Sequence, residues 1–322
     1  MGEFDLIKHY FSRDKRLDRQ DILLSVGDDC AVTEVPTDHQ LAITTDTLVL
    51  GTHFLPTISP ADLAYKSVAV NLSDLAAMGA KPAWVSLALT LSDIDHQWLD
   101  SFSQSLFAIL AEHQTALIGG DTTKGHLAIT LTAQGFLPKD KGLFRHKAQV
   151  GDLIYVSGHL GDSSAGLALL LNPPATLTDA QHYLIQRHLR PTLRVTLGQC
   201  LLNYAQCAID ISDGLLADLG HILERSSCGA EINVDKLPLS APLLQTYSQE
   251  QAEQFALTGG EDYELCFTVS EDNRSAMEQA VADLGISCHC IGKITETSGR
   301  LTLLKHGTVY PQPNQVGFDH FN

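Results

Sequence analysis

Residues 59–91 read SPADLAYKSVAVNLSDLAAMGAKPAWVSLALTL, and this segment predicts a helix followed directly by a strand. The Ser-Pro pair is typical of a helix start, because Ser can accept hydrogen bonds at the N-cap and Pro suits the first helical position. Apolar residues then recur every three or four positions, which gives the helix one buried stripe. The sequence MGAKP ends the helix, and the run from Trp84 to Leu91 is typical of a buried strand.

Strand and helix patterns continue to alternate on both sides of this segment. A short strand is predicted at 41–45, a helix at 97–112 and a further strand at 127–136. The pattern resumes with a strand at 152–157 and a glycine-rich turn before a helix at 162–171. This alternation predicts an α/β or α+β fold.

Chain length predicts two domains, since 322 residues exceed the size at which one core keeps growing. The periodic pattern lapses in the polar, basic stretch at 137–150, which is the predicted boundary. We therefore expect an N-terminal domain at 1–140 and a C-terminal α/β domain at 150–322.

Composition restricts the classes of partner. A net charge of −17 argues against a nucleic-acid partner, and the sequence lacks the apolar run of a membrane helix. The N-terminus does not resemble a signal peptide, and the seven cysteines have no regular spacing, so we expect reduced thiols and a cytoplasmic protein. The Cys288-His289-Cys290 cluster could bind a soft metal, but a buried strand is the favoured interpretation because no second Cys/His pair lies nearby.

Acidic residues recur at strand ends and helix starts, mostly beside Gly, Ser or Thr. Buried carboxylates are costly unless a cation meets them, and Mg²⁺ prefers such hard oxygen ligands together with phosphates. Taken together, these motifs predict a magnesium and phosphate site. They are GDD (27–29), TTDT (44–47), NLSD (71–74), GGDT (119–122), DISDG (210–214) and GGEDYE (259–264).

Each acid has an alternative interpretation when it is taken alone. Asp29 and Asp121 could be turn residues, and Asp213 could simply cap the helix that begins at Leu215. Asp74 could be a solvated helix residue. Arg145 could be either an exposed linker side chain or a clamp for a phosphate group.

Common phosphate-binding and hydrolase motifs are absent from the sequence. It contains no Walker A loop, protein-kinase glycine loop, G-x-S-x-G elbow, H-E-x-x-H pair or G-x-G-x-x-G turn. The hypothesis that remains is Mg²⁺ chemistry supported by carboxylates on a less common fold.

Seven sequence blocks spread over nearly the whole chain are, in order, GDDCAV, TTDTLVLGTHF, DLAYKSVAVNLSDLAAMGAKP, LIGGDTTKG, RHLRP, AIDISDGLLADLGHI and LTGGEDYEL. Together they resemble the bacterial thiamine-monophosphate kinases of the aminoimidazole-ribonucleotide-synthetase-like superfamily. The resemblance implies transfer of the ATP γ-phosphoryl group to thiamine monophosphate, the last step of thiamine diphosphate biosynthesis. It also implies two α/β domains, and a homodimer whose N-terminal sheets form a barrel across the interface.

Positions that match the family motifs receive the following expected roles. Contacts to ATP are implied for Gly120, Asp121, Arg145 and Ser212. Contacts to thiamine monophosphate are implied for His53, Glu261 and Phe318. The implied Mg²⁺ ligands are Asp29, Thr44, Thr45, Asp46, Asp74, Asp121, Asp210 and Asp213.

The chemistry of the acceptor predicts that no side chain acts as a general base. A phosphate monoester has a second pKa of about 6, so it is already largely a dianion at neutral pH. Rival hypotheses are another ATP-using member of the superfamily, a metal-dependent phosphohydrolase, and a non-catalytic module that binds nucleotide and Mg²⁺. The selenide-activating member should carry a reactive Cys near the N-terminus, and nothing before Cys30 qualifies.

Overall fold

The computed structural model describes residues 2–12, 19–313 and 317. Two units result when the chain is divided by its internal contacts. The N-terminal unit comprises residues 1–75 and 80–140, and the C-terminal unit comprises residues 76–79 and 141–322.

The N-terminal unit contains a four-stranded mixed sheet and two long helices. Short helical turns at Glu3–Leu6 (α1) and Ile7–Phe11 and a small hairpin precede them. The strands are Ile22–Leu24 (β1), Val32–Thr33 (β2), His39–Val49 (β3), Lys81–Leu91 (β4), Ala116–Lys124 (β5) and Ala128–Pro138 (β6), and the helices are Pro60–Met78 (α2) and His96–Glu112 (α3).

The four-stranded sheet has the order β3-β6-β4-β5, so that β3 and β5 are its edges. Strand β4 runs parallel to β5, and the other pairs are antiparallel. One face is buried, with Ile129 and Leu131 inaccessible to solvent, whereas Thr130 and Thr132, which alternate with them, are partly exposed. This period-two alternation is that of a sheet covered on one face.

The C-terminal unit contains a seven-stranded mixed sheet with helices around it. Its helices are Asp162–Leu171 (α4), Asp179–Leu189 (α5), Val195–Leu201 (α6), Leu215–Ser226 (α7), Ala241–Thr246 (α8), Gln249–Thr258 (α9) and Arg274–Asp283 (α10). Its strands are Leu153–Ser157 (β7), Cys207–Asp210 (β8), Gly229–Asn233 (β9), Leu265–Val269 (β10), Cys288–Thr295 (β11), Leu301–Lys305 (β12) and Thr308–Tyr310 (β13).

Strand order in this sheet is β13-β12-β9-β11-β7-β10-β8, which makes β8 an edge strand beside β10. Helix α7 packs against the sheet through Leu215, Leu219 and Ile222, all inaccessible to solvent. Because β8 and β10 are antiparallel and pair Asp210 with Leu265, the end of β8 meets the start of β10. The DISDG and GGEDYE segments therefore lie side by side.

The helix and strand boundaries confirm most of the sequence predictions. The predicted two-domain α/β fold is confirmed, and the structure shows that its sheets are mixed. The predicted strand at 41–45 is too short, because β3 continues to Val49 in register with β6. Asp46 therefore lies inside an edge strand rather than after a strand end, and Asp121 likewise lies inside the edge strand β5.

Three features bear on the predictions from composition. None of the helices in the described part of the chain combines the length and hydropathy that a membrane crossing requires. All seven cysteines, each among the described residues, are free thiols. Cys288 and Cys290 lie in strand β11, as the favoured interpretation of that cluster predicted.

Candidate active site

The first group of candidate residues lies where β3 passes beside α2. The Thr44 hydroxyl donates a hydrogen bond to the Asp74 carboxylate, and the Asp46 backbone N–H donates to the Asn71 side-chain oxygen at 3.2 Å. Burial, and then the neighbouring Asp74 carboxylate, raise the pKa of Asp46 to about 6. Two carboxylates crowded in this way favour a cation between them.

Thr45 lies on the opposite face of β3. Its hydroxyl hydrogen-bonds the Thr132 hydroxyl of β6 at 2.9 Å, among the partly exposed threonines of the sheet. Since side chains alternate along a strand, Thr45 cannot share the side-chain cluster of Thr44 and Asp46. A metal contact by Thr45 would have to use its backbone oxygen.

His53 lies in the turn after β3, and its ring orientation is fixed by the backbone. The Val49 N–H donates to His53 Nδ1 at 3.1 Å, so Nδ1 is an acceptor. In the neutral ring the proton then sits on Nε2, which becomes a donor. This tautomer suits an anionic ligand.

Gly120 and Asp121 lie on β5, at the other edge of the same sheet. Strand pairing places Gly120 in one row with Leu87, Leu131 and Asp46. Three strand spacings, roughly 14 Å, separate the two ends of that row. The structure therefore does not bring Asp121 next to Asp46 within one N-terminal unit.

Asp29 is exposed, and its N–H donates a hydrogen bond to the Asp28 carboxylate at 2.9 Å.

Gly120 occupies a position that tolerates no side chain. Its φ is +150°, and a Cβ atom there would lie 1.8 Å from the carbonyl oxygen of Leu87. The absence of a side chain lets the two strands approach closely. The neighbouring Gly119 has nothing within 4 Å of an added Cβ.

We expect Gly120→Ala to lower the free energy of unfolding by about 2 kcal/mol or more, through the clash and the left-handed backbone. Gly119→Ala is the matched control and should change stability little. Chemical denaturation of the two variants measures the difference. Equal stabilities would contradict this account of Gly120.

In the C-terminal unit, the DISDG segment connects β8 to α7. Asp210 ends the strand and is buried, and Ser212 and Asp213 follow in a half-buried loop. The backbone N–H groups of Ser212, Asp213 and Gly214 all donate to one oxygen of Asp218, each at 3.0 Å. Burial, and then the Asp213 carboxylate, raise the pKa of Asp218 to about 7.

The GGEDYE segment is hydrogen-bonded to that loop by its backbone. The Glu261 N–H donates to the Ser212 carbonyl at 2.7 Å, and the Tyr263 N–H donates to the Ile211 carbonyl at 2.9 Å. Glu261 and Tyr263 both have positive φ, of 64° and 52°. Non-glycine residues held in this region cost free energy and cluster at functional sites.

Asp262, between these two strained residues, fixes the segment from inside. It is buried and accepts hydrogen bonds from the N–H groups of Gly161 and Ser163, at 2.6 and 3.0 Å, at the start of α4. Glu261 instead lies at the surface of the cluster, with its carboxylate 3.4 Å from His188 Nδ1. Of the two neighbouring acids, Glu261 is therefore the one that can reach a ligand.

Glu264 forms a buried cluster of ion pairs and hydrogen bonds that the sequence analysis did not predict. Its buried carboxylate binds Arg194 through two nitrogens at 2.5 and 2.8 Å, Arg187 at 3.1 Å and the Ser157 hydroxyl at 2.6 Å. Arg187 begins the RHLRP block and Glu264 ends GGEDYE, so the structure joins two of the blocks that carry the family resemblance. Their pairing depends on the fold, and local sequence gives no signal for it.

Arg145 and Phe318 are the two remaining candidates. The Arg145 side chain is exposed, and its carbonyl accepts from the Ser226 hydroxyl at 2.8 Å and lies 3.8 Å from Cys207 Sγ. Cys207 begins β8 and Asp210 ends it, about 10 Å further along the strand. The Arg145 backbone thus does not lie beside Ser212. Phe318 lies outside the described residues.

The acidic side chains could supply some, but not all, of the ligands of a Mg²⁺ ion. Within residues 2–12, 19–313 and 317, no three His, Cys, Asp or Glu side chains converge closely enough to hold a metal by themselves. Mg²⁺ usually takes one or two carboxylates and completes its octahedron with substrate phosphates and water. The raised pKa of Asp46 beside Asp74 is the observation that supports a cation here.

Comparison with known proteins assigns the family. Residues 27–137 match the AIR synthase related protein N-terminal domain, and residues 149–303 match the AIR synthase related protein C-terminal domain. The chain is 57% identical to the thiamine-monophosphate kinase of Haemophilus influenzae, over 100% of this chain and 98% of that protein. The chain belongs to the thiamine-monophosphate kinase family. It is accordingly an enzyme.

Solved structures of this kinase family have the same fold. The thiamine-monophosphate kinase of Stenotrophomonas maltophilia K279a superposes with a TM-score of 0.87 at 43% identity, covering 96% of this chain and 98% of that chain. AaThiL complexed with AMPPCP and TMP superposes with a TM-score of 0.79 at 32% identity, covering 99% and 96%. The predicted family resemblance is thereby confirmed.

Proposed function

We propose that this member of the thiamine-monophosphate kinase family transfers the γ-phosphoryl group of ATP directly to thiamine monophosphate, in line and with several Mg²⁺ ions, as the last step of thiamine diphosphate biosynthesis. The crowded Asp46–Asp74 pair is the observation that carries the proposal, because two neighbouring, partly buried carboxylates favour a bound cation. The similar AaThiL binds AMPPCP and TMP, which agrees with an ATP-like and a thiamine-phosphate ligand.

The transfer needs no proton acceptor. A phosphate oxygen of thiamine monophosphate, already ionised, attacks the γ-phosphorus of ATP, and the bond from that phosphorus to the ADP oxygen breaks. The products are ADP and thiamine diphosphate. Catalysis is then a matter of positioning and of neutralising charge.

Five aspartates are proposed as the principal ligands: Asp46, Asp74, Asp121, Asp210 and Asp213, with Asp29, Thr44 and Thr45 as further ligands. Bound Mg²⁺ supplies the positive charge that relieves repulsion between the acceptor dianion and the triphosphate. Gly120, Asp121, Arg145 and Ser212 are proposed to contact ATP. Arg145, with a side chain in solvent, adds a fixed positive charge.

Thiamine monophosphate is proposed to contact His53, Glu261 and Phe318. His53 offers its Nε2–H, since Nδ1 already accepts from the Val49 N–H. Glu261 offers a carboxylate for the cationic thiamine moiety, on a loop held by the Ser212 carbonyl. The backbone link between Glu261 and Ser212 connects the proposed acceptor site to the proposed ATP site.

We expect His53→Ala to raise KM for thiamine monophosphate about tenfold, with a smaller change in KM for ATP, because a hydrogen bond to a charged group contributes roughly 1.5–3 kcal/mol. His126→Ala is the control, since exposed His126 contacts the Leu50 carbonyl at 3.1 Å in the same region. Steady-state kinetics with each substrate varied in turn provide the measurement. An equal rise in both KM values would remove His53 from the acceptor site.

We further propose that the protein is a cytoplasmic homodimer in which the N-terminal sheets form a barrel. Ile43, on the edge strand β3, has 61% of its surface exposed, and Leu41 beside it has 38%. An exposed apolar edge strand is a surface that pairing with a second chain would cover. Sedimentation equilibrium of the wild type and of Ile43→Lys tests this arrangement, and a wild-type monomer would contradict it.

The decisive experiment measures ADP and thiamine diphosphate produced by the purified protein from Mg-ATP, with and without thiamine monophosphate. Equal amounts of both products, formed only with both substrates, are expected. Formation of ADP without the acceptor would instead indicate a phosphohydrolase or another superfamily member. Binding of nucleotide with no turnover would indicate a non-catalytic module.

A further inference from the structure

Asp218 is not among the proposed Mg²⁺ ligands, but its carboxylate binds the backbone of the loop that carries two of them. The residue lies in the first turn of α7 and is 2% exposed. One of its carboxylate oxygens accepts three consecutive backbone N–H groups, from Ser212 to Gly214, each at 3.0 Å. Free N–H groups at a helix start can bind a phosphate group.

This arrangement changes what the helix start can bind. Because the three N–H groups already donate hydrogen bonds to Asp218, they are not available to a substrate phosphate. Any contact of Ser212 with ATP must then come from its hydroxyl group. The loop instead carries two acidic side chains, Asp210 and Asp213, at its beginning and in its middle.

The loop is also held from its other side. Its Ile211 N–H donates to the Glu264 carbonyl at 2.8 Å, and its Ser212 carbonyl accepts from the Glu261 N–H at 2.7 Å. Gly214 has a φ of +121°, and a Cβ atom there would lie 2.7 Å from the Thr258 carbonyl oxygen. With Asp218 on one side and GGEDYE on the other, the loop backbone has little freedom.

We propose that Asp218 is a positioning residue of the phosphoryl-transfer site, whose carboxylate takes the place of a substrate phosphate at the start of α7 and so orients Asp210 and Asp213. The inference rests on the proposed role of those two aspartates as Mg²⁺ ligands. Asp218 itself touches the loop backbone and acts through it.

Two substitutions separate the geometry of Asp218 from its charge. Asp218→Asn keeps an oxygen that can accept all three N–H groups and removes the negative charge. Asp218→Glu keeps the charge, but the extra methylene displaces the carboxylate by more than 1 Å, about the length of one C–C bond. A positioning role predicts that Asn is tolerated and Glu is not.

The test is the Mg²⁺ dependence of thiamine diphosphate formation at saturating ATP and thiamine monophosphate. For Asp218→Asn, the half-saturating Mg²⁺ concentration should stay within about threefold of wild type. For Asp218→Glu, it should rise about tenfold or more. Hydrogen exchange of the peptide covering 211–217 should be slow in wild type and Asn and faster in Glu.

A buried carboxylate away from the loop provides the control. Glu253 is 1% exposed and binds Lys305 at 2.7 Å. Glu253→Gln should lower the melting temperature without changing the Mg²⁺ dependence. Such a variant shows what loss of a buried acid does when the loop is untouched.

Several results would overturn the positioning role. They are a Glu variant with wild-type Mg²⁺ dependence, an Asn variant shifted tenfold or more, or two variants that lose only stability as Glu253→Gln does. If the Glu variant does not fold, the Asn variant decides alone. Asp210→Asn and Asp213→Asn are measured in parallel, because normal turnover in both would instead refute the proposed metal ligands, whatever Asp218 does.

Discussion

Asp46→Asn is expected to lower kcat by about 1,000-fold while leaving the fold intact. The substitution keeps the size of the side chain and the backbone hydrogen bond to Asn71, but removes the charge that is proposed to hold a cation together with Asp74. Single-turnover formation of thiamine diphosphate at saturating Mg²⁺ measures the effect. A rate near that of wild type would show that Asp46 is not a ligand.

Stability should change in the opposite direction from activity. A carboxyl group whose pKa rises from 3.8 to about 6 on folding stabilises the fold most below pH 4, and that contribution is lost as the pH rises through about 6. At pH 7.5 the metal-free Asn variant should therefore be more stable than metal-free wild type, by about 2 kcal/mol. The difference should vanish near pH 4.

Added Mg²⁺ should reverse this order, since it stabilises only a protein that binds it. Asp93→Asn is the matched control, because Asp93 is 86% exposed and lies 3.8 Å from Lys124 in the same unit. It removes one charge without relieving a crowded pair. Thermal unfolding of the three proteins with and without Mg²⁺, at pH 4 and pH 7.5, separates the two effects.

The sequence could identify the acidic motifs but not the role of each acid within them. Asp213 had the alternative interpretation of a helix cap, and the structure shows that Asp218 binds the N–H groups at that helix start instead. Asp218 stands in the first turn of α7, where acids are favoured, which is a signal that could have been used. The assignment still required the loop geometry.

The sequence also could not predict how far apart the acidic motifs lie in space, for a different reason. Asp46 and Asp121 each follow a recognisable strand pattern, but their separation depends on the sheet order β3-β6-β4-β5. Strand order is set by tertiary packing, and no local pattern reports it. The fold class needed only periodicity, which local sequence carries directly.

Glu264→Gln should cost about 3–5 kcal/mol of unfolding free energy. Glu264 is inaccessible to solvent, and its carboxylate accepts hydrogen bonds from Arg187, Arg194 and Ser157. The side chains of the two arginines are only 11% and 14% exposed, so removing the carboxylate charge deprives both cations of their shared ion-pair partner in a poorly solvated place.

Glu278→Gln is the matched comparison, because Glu278 also pairs with an arginine and a hydroxyl group. It lies 3.2 Å from Arg274 and accepts from Tyr155 at 2.6 Å, but its side chain is 46% exposed. Water can replace the lost contacts there, so its loss should be less than half that of Glu264→Gln. Urea unfolding of both variants gives the two free energies. Equal losses would show that burial of the Glu264 cluster does not set the size of its contribution to stability.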